Sequence, residues 1–226
     1  MIKTCFALLP ILVLGSCSTL QNKAKYELAE GKFMFKIYDK KYICYVENNA
    51  DSIVIHNTIT KISTTLPQKI DDYVYVNQRF TKSSLDIDIL TALFKIRTIV
   101  PNLLPTQLNA NFNGNIYVGY RTDIYRVYYK KNPLNSYQRQ INHFGFSGGF
   151  FVGLGNTATT PSTTNNGIST EYEGLILQKG IAGIVAINKL TIGLSFSFDN
   201  LLDNNKALWI YENKPWYGLM LGLNVN

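Results

Sequence analysis

The sequence is short of the residues that most chemistry needs. It has three cysteines and two histidines, and no His/Cys/Asp/Glu grouping at the spacing of a metal site. No G-x-S-x-G, no phosphate-cradling glycine loop opening a helix and no other catalytic signature occurs. Charged residues make up only 16%, well under the ~25% of an ordinary soluble domain. The net charge is +7, yet the basic residues are scattered and form no run of the kind that makes a nucleic-acid tail. They suit contact with anionic lipid head groups instead. No stretch holds a long helical period. No apolar run approaches the ~20 residues that a membrane-crossing helix requires.

The longest apolar run is at the start, in MIKTCFALLPILVLGSCSTLQNK. Lys3 precedes Phe6–Leu14, which Pro10 alone interrupts, and this is the pattern of a secretion signal. The run ends in Leu14-Gly15-Ser16-Cys17, which resembles the lipobox of bacterial lipoproteins. That resemblance implies a signal peptide over residues 1–16 and a lipid on Cys17. Ser18 after the cysteine implies sorting to the outer membrane, and no acidic cluster follows to suggest surface export. Cys5 would leave with the signal, so Cys44 alone remains and no internal disulfide is expected. Within KYICYVE, Cys44 reads as a small buried hydrophobe.

What the chain has in quantity is tyrosine, phenylalanine and glycine, with aromatics at 13%. Residues 17–80 divide into a linker and a small periplasmic β-meander: KFMFKIY, KYICYVE, SIVIHNT and YVYV as strands, with TTLPQKIDD as a loop before the last. Residues 81–226 are different, because apolar and small or polar residues alternate over long stretches. In KLTIGLSFSFDN, Leu190, Ile192, Leu194, Phe196 and Phe198 oppose Thr191, Gly193, Ser195, Ser197 and Asp199. HFGFSGGFFVGLG, QLNANFNGNIYVGYRTD and WYGLMLGLNVN repeat the design, and SLDIDILTALFKIR and YEGLILQKGIAGIVAIN do so less cleanly.

These runs exceed the ~5–6 residues usual for strands and reach the ~9–11 of a tilted transmembrane strand. In hydrocarbon every backbone polar group must be paired, so such a sheet closes on itself. The expected fold is therefore all-β: a closed antiparallel barrel of outer-membrane type with about eight strands, preceded by the meander. Eight requires splitting the stretch around Arg121-Thr122-Asp123 and adding DDYVYVNQRF; six is the total if the sheet is tightly closed or shared with a partner. A soluble sandwich or soluble closed barrel is the competing reading. The inward glycines suit a narrow lumen.

INKL reads as a tight periplasmic turn, and Thr157–Ser169 and Asp199–Pro215 as long outer loops. Trp209, Tyr211, Trp216 and Tyr217 cluster near a strand end. They are candidates for a membrane-interface girdle, or equally for packing the outer loop onto the rim. Asn109, Asn111, Asn113, Asn115 and Arg121 fall on the inward face as candidate polar lumen residues. They would either line a path for a small solute or fill the lumen with hydrogen bonds.

SLDIDILTALFKIR, QLNANFNGNIYVGYRTD and the C-terminal GLSFSFDNLLDNNKALWIYENKPWYGLMLGLNVN resemble small outer-membrane β-barrel proteins of Bacteroidota. The resemblance implies fold and location, not chemistry. No catalytic residue or cofactor is assigned. His143 and Ser147 share a strand face, but four residues place them ~13 Å apart, far beyond the ~2.6–3.2 Å of proton transfer. A pairing of His143 with Ser195 or Ser197 and Asp199 has no support in the sequence, and His56 reads as solvated. The expected role is structural or adaptor-like, in contact with outer-membrane lipid and a periplasmic or envelope protein and not with nucleic acid. Solute transport and a tethered lipocalin-like carrier are the alternatives.

Overall fold

The computed structural model describes residues 26–37, 40–72, 76–101 and 104–223. Cys17, on which the lipid-anchor expectation rests, lies outside them, as do Tyr73, Val74 and Tyr75 of the expected YVYV strand. The described residues form an all-β, antiparallel structure. Four strands, β1 (Gly31–Ile37), β2 (Lys40–Asn48), β3 (Ser52–Asn57) and β4 (Ser63–Pro67), make a meander. The two-residue β5 (Lys69–Ile70) follows, then β6 (Asn77–Arg97), the short β7 (Gln107–Asn109) and β8 (Asn113–Lys131). The chain ends in β9 (Tyr137–Thr159), β10 (Tyr172–Ile187), β11 (Leu190–Leu201) and β12 (Pro215–Leu223).

Pairing runs β12–β11–β10–β9–β8–β6, and β6 then pairs with β12, so six strands close into a ring. The expected total of about eight is corrected on two counts. β8 runs unbroken through Arg121-Thr122-Asp123, in continuous register with β9 from Asn113↔Gly155 to Lys131↔Tyr137. Of DDYVYVNQRF, Asn77–Phe80 open β6, and Tyr73, Val74 and Tyr75 lie outside the described residues. The boundary expected at residues 80 and 81 falls inside β6. TTLPQKIDD is not a loop, because it holds β4 and β5. Its β-branched threonines pair with β3, while Pro67, which has no N–H to give, closes the strand. Thr157–Thr159 and Asp199–Leu201 likewise belong to β9 and β11, so both long loops are shorter than expected. INKL is the expected tight turn: Ile187 pairs with Leu190, and Asn188 takes the positive φ of 51° that such turns need and asparagine tolerates.

The long strands pass through two regions with opposite interiors. In the lower one, the β8–β9 hairpin and the start of β6 join the meander, and β5 pairs back onto β9. Its interior is apolar: Phe33, Phe35, Val46, Ile53, Phe80 and Val127 pack there with Cys44. In the upper one, the six-stranded ring, the interior carries buried Asp86, Asp88, Lys95, Arg97, Arg121 and Asp199, while Leu85, Ile87, Phe150, Val152, Ile181 and Leu194 are exposed on the outside. Tight closure depends on glycines. A Cβ on Gly149 would lie 2.3 Å from the Val118 carbonyl oxygen and 2.4 Å from Gly119 Cα, so β9 approaches β8 as only a side-chain-free residue allows.

Candidate functional site: a stratified interior inside an apolar wall

The ring's interior is layered. At its foot Arg121 Nε donates to Asp123 Oδ1 at 2.7 Å, and His143 Nε2 meets the same oxygen at 2.7 Å. Arg121 Nη1 lies 3.5 Å from Asp86 Oδ1. The His143 ring packs against Tyr125 with centroids 4.9 Å apart, which places this charged layer directly on the apolar core below. Gly145 makes room for it, since a Cβ there would meet Arg121 Nη2 at 2.7 Å. Above lies an apolar plug of Leu90, Tyr117, Phe151, Ile184, Trp216 and Met220. The Tyr117 hydroxyl is tied to Ser147 Oγ at 2.8 Å.

A second charged layer sits over the plug. Asp199 receives Lys95 Nζ at 3.4 Å and Arg97 Nη2 on one oxygen and the Trp216 Nε1 hydrogen at 2.7 Å on the other. Arg97 is also held against Trp209 and Tyr211, 5.2 and 4.8 Å from their ring centroids. Those two rings, with Ile176 and Leu201, close the top. Burial pushes the Tyr211 phenol upward, with Arg97 acting against the shift. Gln178, Ser197 and Thr159 are buried here with polar atoms that find no protein partner, groups of the kind that ordered water serves.

A bulge puts the cations of this layer inside. Along β6 the inward residues are Asp86, Asp88, Leu90 and Ala92, then Lys95 and Arg97. The register against β12 slips between Leu219 and Met220, and the extra β6 residue shifts inward-facing positions from even to odd. Across the gap between β7 and β8, the Asn113 side chain replaces a peptide unit. Its Oδ1 accepts from Ala92 N at 2.7 Å and its Nδ2 donates to Ala92 O at 2.9 Å. Asn115 Nδ2 donates to Leu90 O at 3.3 Å.

Of the five candidate lumen residues, Asn113, Asn115 and Arg121 are buried; Asn109 and Asn111 are only half-buried. The two buried asparagines complete the wall's pairing rather than line a path. Of the four aromatic candidates, Trp209, Tyr211 and Trp216 are buried and pack the interior and its cap. Of the four, Tyr217 faces outward, Trp209 and Tyr211 pack the cap and Trp216 packs the plug beneath it, so they share no single outward face. His143 is far from Asp199's partners and bonds Asp123 instead. Ser195 Oγ donates to Gly218 O, so no Ser–His pair is assembled from these residues. Sequence reasoning missed Asp86, Asp88, Asp123, Lys95 and Arg97. The signal was present for the first two: carboxylates alternate with Leu85, Ile87 and Ile89.

Among the described residues, no group of three or more His, Cys, Asp or Glu is placed to hold a metal, and no helix is long and apolar enough to cross a membrane. No family model matches the chain, no curated protein matches it and no solved structure matches it.

Proposed function

We propose that the ring is a membrane-integrated β-barrel of outer-membrane type, that the lower unit stands in the periplasm, and that the role is structural or adaptor-like. One observation carries this reading. The ring turns large apolar side chains outward on every one of its strands and buries the charges of β6, β8 and β11 inside, the reverse of the unit below it, while Glu173 and Lys179 of β10 stay on the outer face. In water that arrangement exposes a broad apolar surface and buries charge, both costly. In a bilayer it is the stable one. The dimensions agree. From Phe144 to Leu154 the outward face of β9 is apolar or glycine over about ten residue steps, ~33 Å along the strand. At the ~40° tilt usual for such strands this gives ~25 Å along the membrane normal, the height of a typical apolar band.

The filled interior favours an anchoring role over passage. Solute movement would require Tyr117, Phe151, Trp216 and Met220 to give way together. A soluble, lipocalin-like carrier would need an apolar interior, whereas the ring's is stratified with ion pairs. Two measurements test the reading. With the signal replaced and Cys17→Ser introduced, the chain is expected to stay with outer-membrane fractions and to shift on gels with heating. Release as a soluble protein overturns the barrel. In planar bilayers the wild-type protein is expected to give no stepwise conductance, and ohmic steps would replace the structural role with transport.

A further inference from the structure

Three depressions join on one side of the ring. The lowest, of about 720 Å³, lies under the Asn188–Lys189 turn and is lined by Tyr26, Glu27, Gln140 and Asn142 together with Ile187 and Leu190. The last two also line the foot of an apolar groove of about 780 Å³ on the outer wall, bounded by Phe146, Val185 and Ile192. That groove shares Gly183 and Leu194 with a third depression of about 600 Å³, which reaches Phe150, Phe196 and Tyr217. Its floor is the register pair Gly183↔Gly148, where a Cβ would meet nothing within 4 Å at either position. From Leu190 to Phe196 the apolar part runs six residue steps, ~20 Å.

The foot differs from the groove above it. It carries one cation, Lys189, whose ammonium lies 5.5 Å from the Tyr26 ring centroid, one carboxylate, Glu27, and the side-chain amides of Gln140 and Asn142. A polar site bearing both charges, continuous with a long apolar channel, matches a molecule with an anionic and a cationic group at one end and a hydrocarbon chain at the other. We propose that this surface holds a single phospholipid whose headgroup joins a phosphate to a terminal amine. The phosphate sits at Lys189, the amine at Glu27, and one acyl chain lies over Gly183 and Gly148. The inference rests on the membrane reading above, which puts this foot at the periplasmic leaflet.

The test uses the full-length protein, extracted in mild detergent and supplied with equal amounts of phosphatidylethanolamine and phosphatidylglycerol before native mass spectrometry. One phosphatidylethanolamine adduct per chain is expected. Gly183→Phe, which fills the groove from a position with open space, is expected to abolish it. Lys near a lipid surface contributes ~1 kcal/mol, so the charge reversal in Lys189→Glu is expected to lower retention about tenfold or more. Glu27→Gln is expected to erase the preference for the amine-bearing lipid. No adduct, equal retention of both lipids, or a series of adducts indifferent to all three substitutions overturns the proposal. Heat-shifted migration is read alongside. A protein that keeps the heat shift but holds no lipid refutes this site alone, and one that is soluble without detergent refutes the membrane reading and the site together.

Discussion

Replacing Asp199 with asparagine tests whether the ring's interior is dry. Asp199 is fully buried, as are Lys95 and Arg97, and its carboxylate is the acceptor both cations share. Asparagine keeps the size and its Oδ1 still accepts the Trp216 hydrogen bond, but its Nδ2 stands where the oxygen shared by Lys95 and Arg97 was, so the change removes the charge and both of their hydrogen bonds. At an effective dielectric of ~20, the Lys95 contact at 3.4 Å is worth about 5 kcal/mol gross. The net cost is smaller, because the carboxylate's own desolvation penalty disappears with its charge, and the aromatic faces of Trp216, Trp209 and Tyr211 still hold the cations. Breaking a buried pair from one side costs ~3–5 kcal/mol, and that is the expected loss for Asp199→Asn. It would be a large share of the ~5–15 kcal/mol that typically keeps a domain folded. The assay is urea unfolding of the detergent-refolded protein, followed by heat-shifted migration and tryptophan fluorescence. Adding Lys95→Met should restore part of the loss, since one stranded cation is then gone. A change under ~1 kcal/mol, with no rescue by Lys95→Met, would refute the reasoning. It would mean that water penetrates the upper layer and screens the cations, and the closed interior behind the anchoring role would fall with it.

Two further outcomes follow from the same geometry. Gly149→Ala would drive a Cβ into the β8 backbone and should cost at least ~1–3 kcal/mol, whereas Gly183→Ala, facing open space, should stay within ~0.5 kcal/mol; equal effects in the same unfolding assay would contradict the tight closure. In the lower unit, burial pushes the Cys44 thiol up to about 11 from an ordinary value of 9.0. With Cys17 replaced, thiol labelling at pH 8 should therefore require unfolding, and the neutral thiol's contribution to stability, fully present below pH 9, should be lost as pH rises through 11. Rapid labelling of the folded protein at pH 8 would place Cys44 outside the core.

The period-two pattern made the outer wall legible, and it was hardest to read where its phase slips. Such a slip has two physical causes, and this chain contains both. On β6 the slip is geometric. A bulge near Leu93 adds a residue, inward positions pass from even to odd, and polar side chains stay inside across the break: Asp88 before it, Lys95 and Arg97 after it. Nothing in SLDIDILTALFKIR marks that extra residue, so Lys95 and Arg97 could not be assigned to the interior from sequence. On β8 the slip is chemical. The odd residues face inward from Asn113 to Tyr129, yet Arg121 and Asp123 give way to Tyr125 and Val127, while outward Val118 and Tyr120 give way to exposed Arg126 and Lys130. Splitting this stretch at Arg121-Thr122-Asp123 mistook a change of surroundings for a turn. The backbone runs straight on, and what inverts is the polarity of its two faces. That inversion lies level with the Arg121–Asp123–His143 layer, which is the height at which the proposed membrane would end and the periplasm begin.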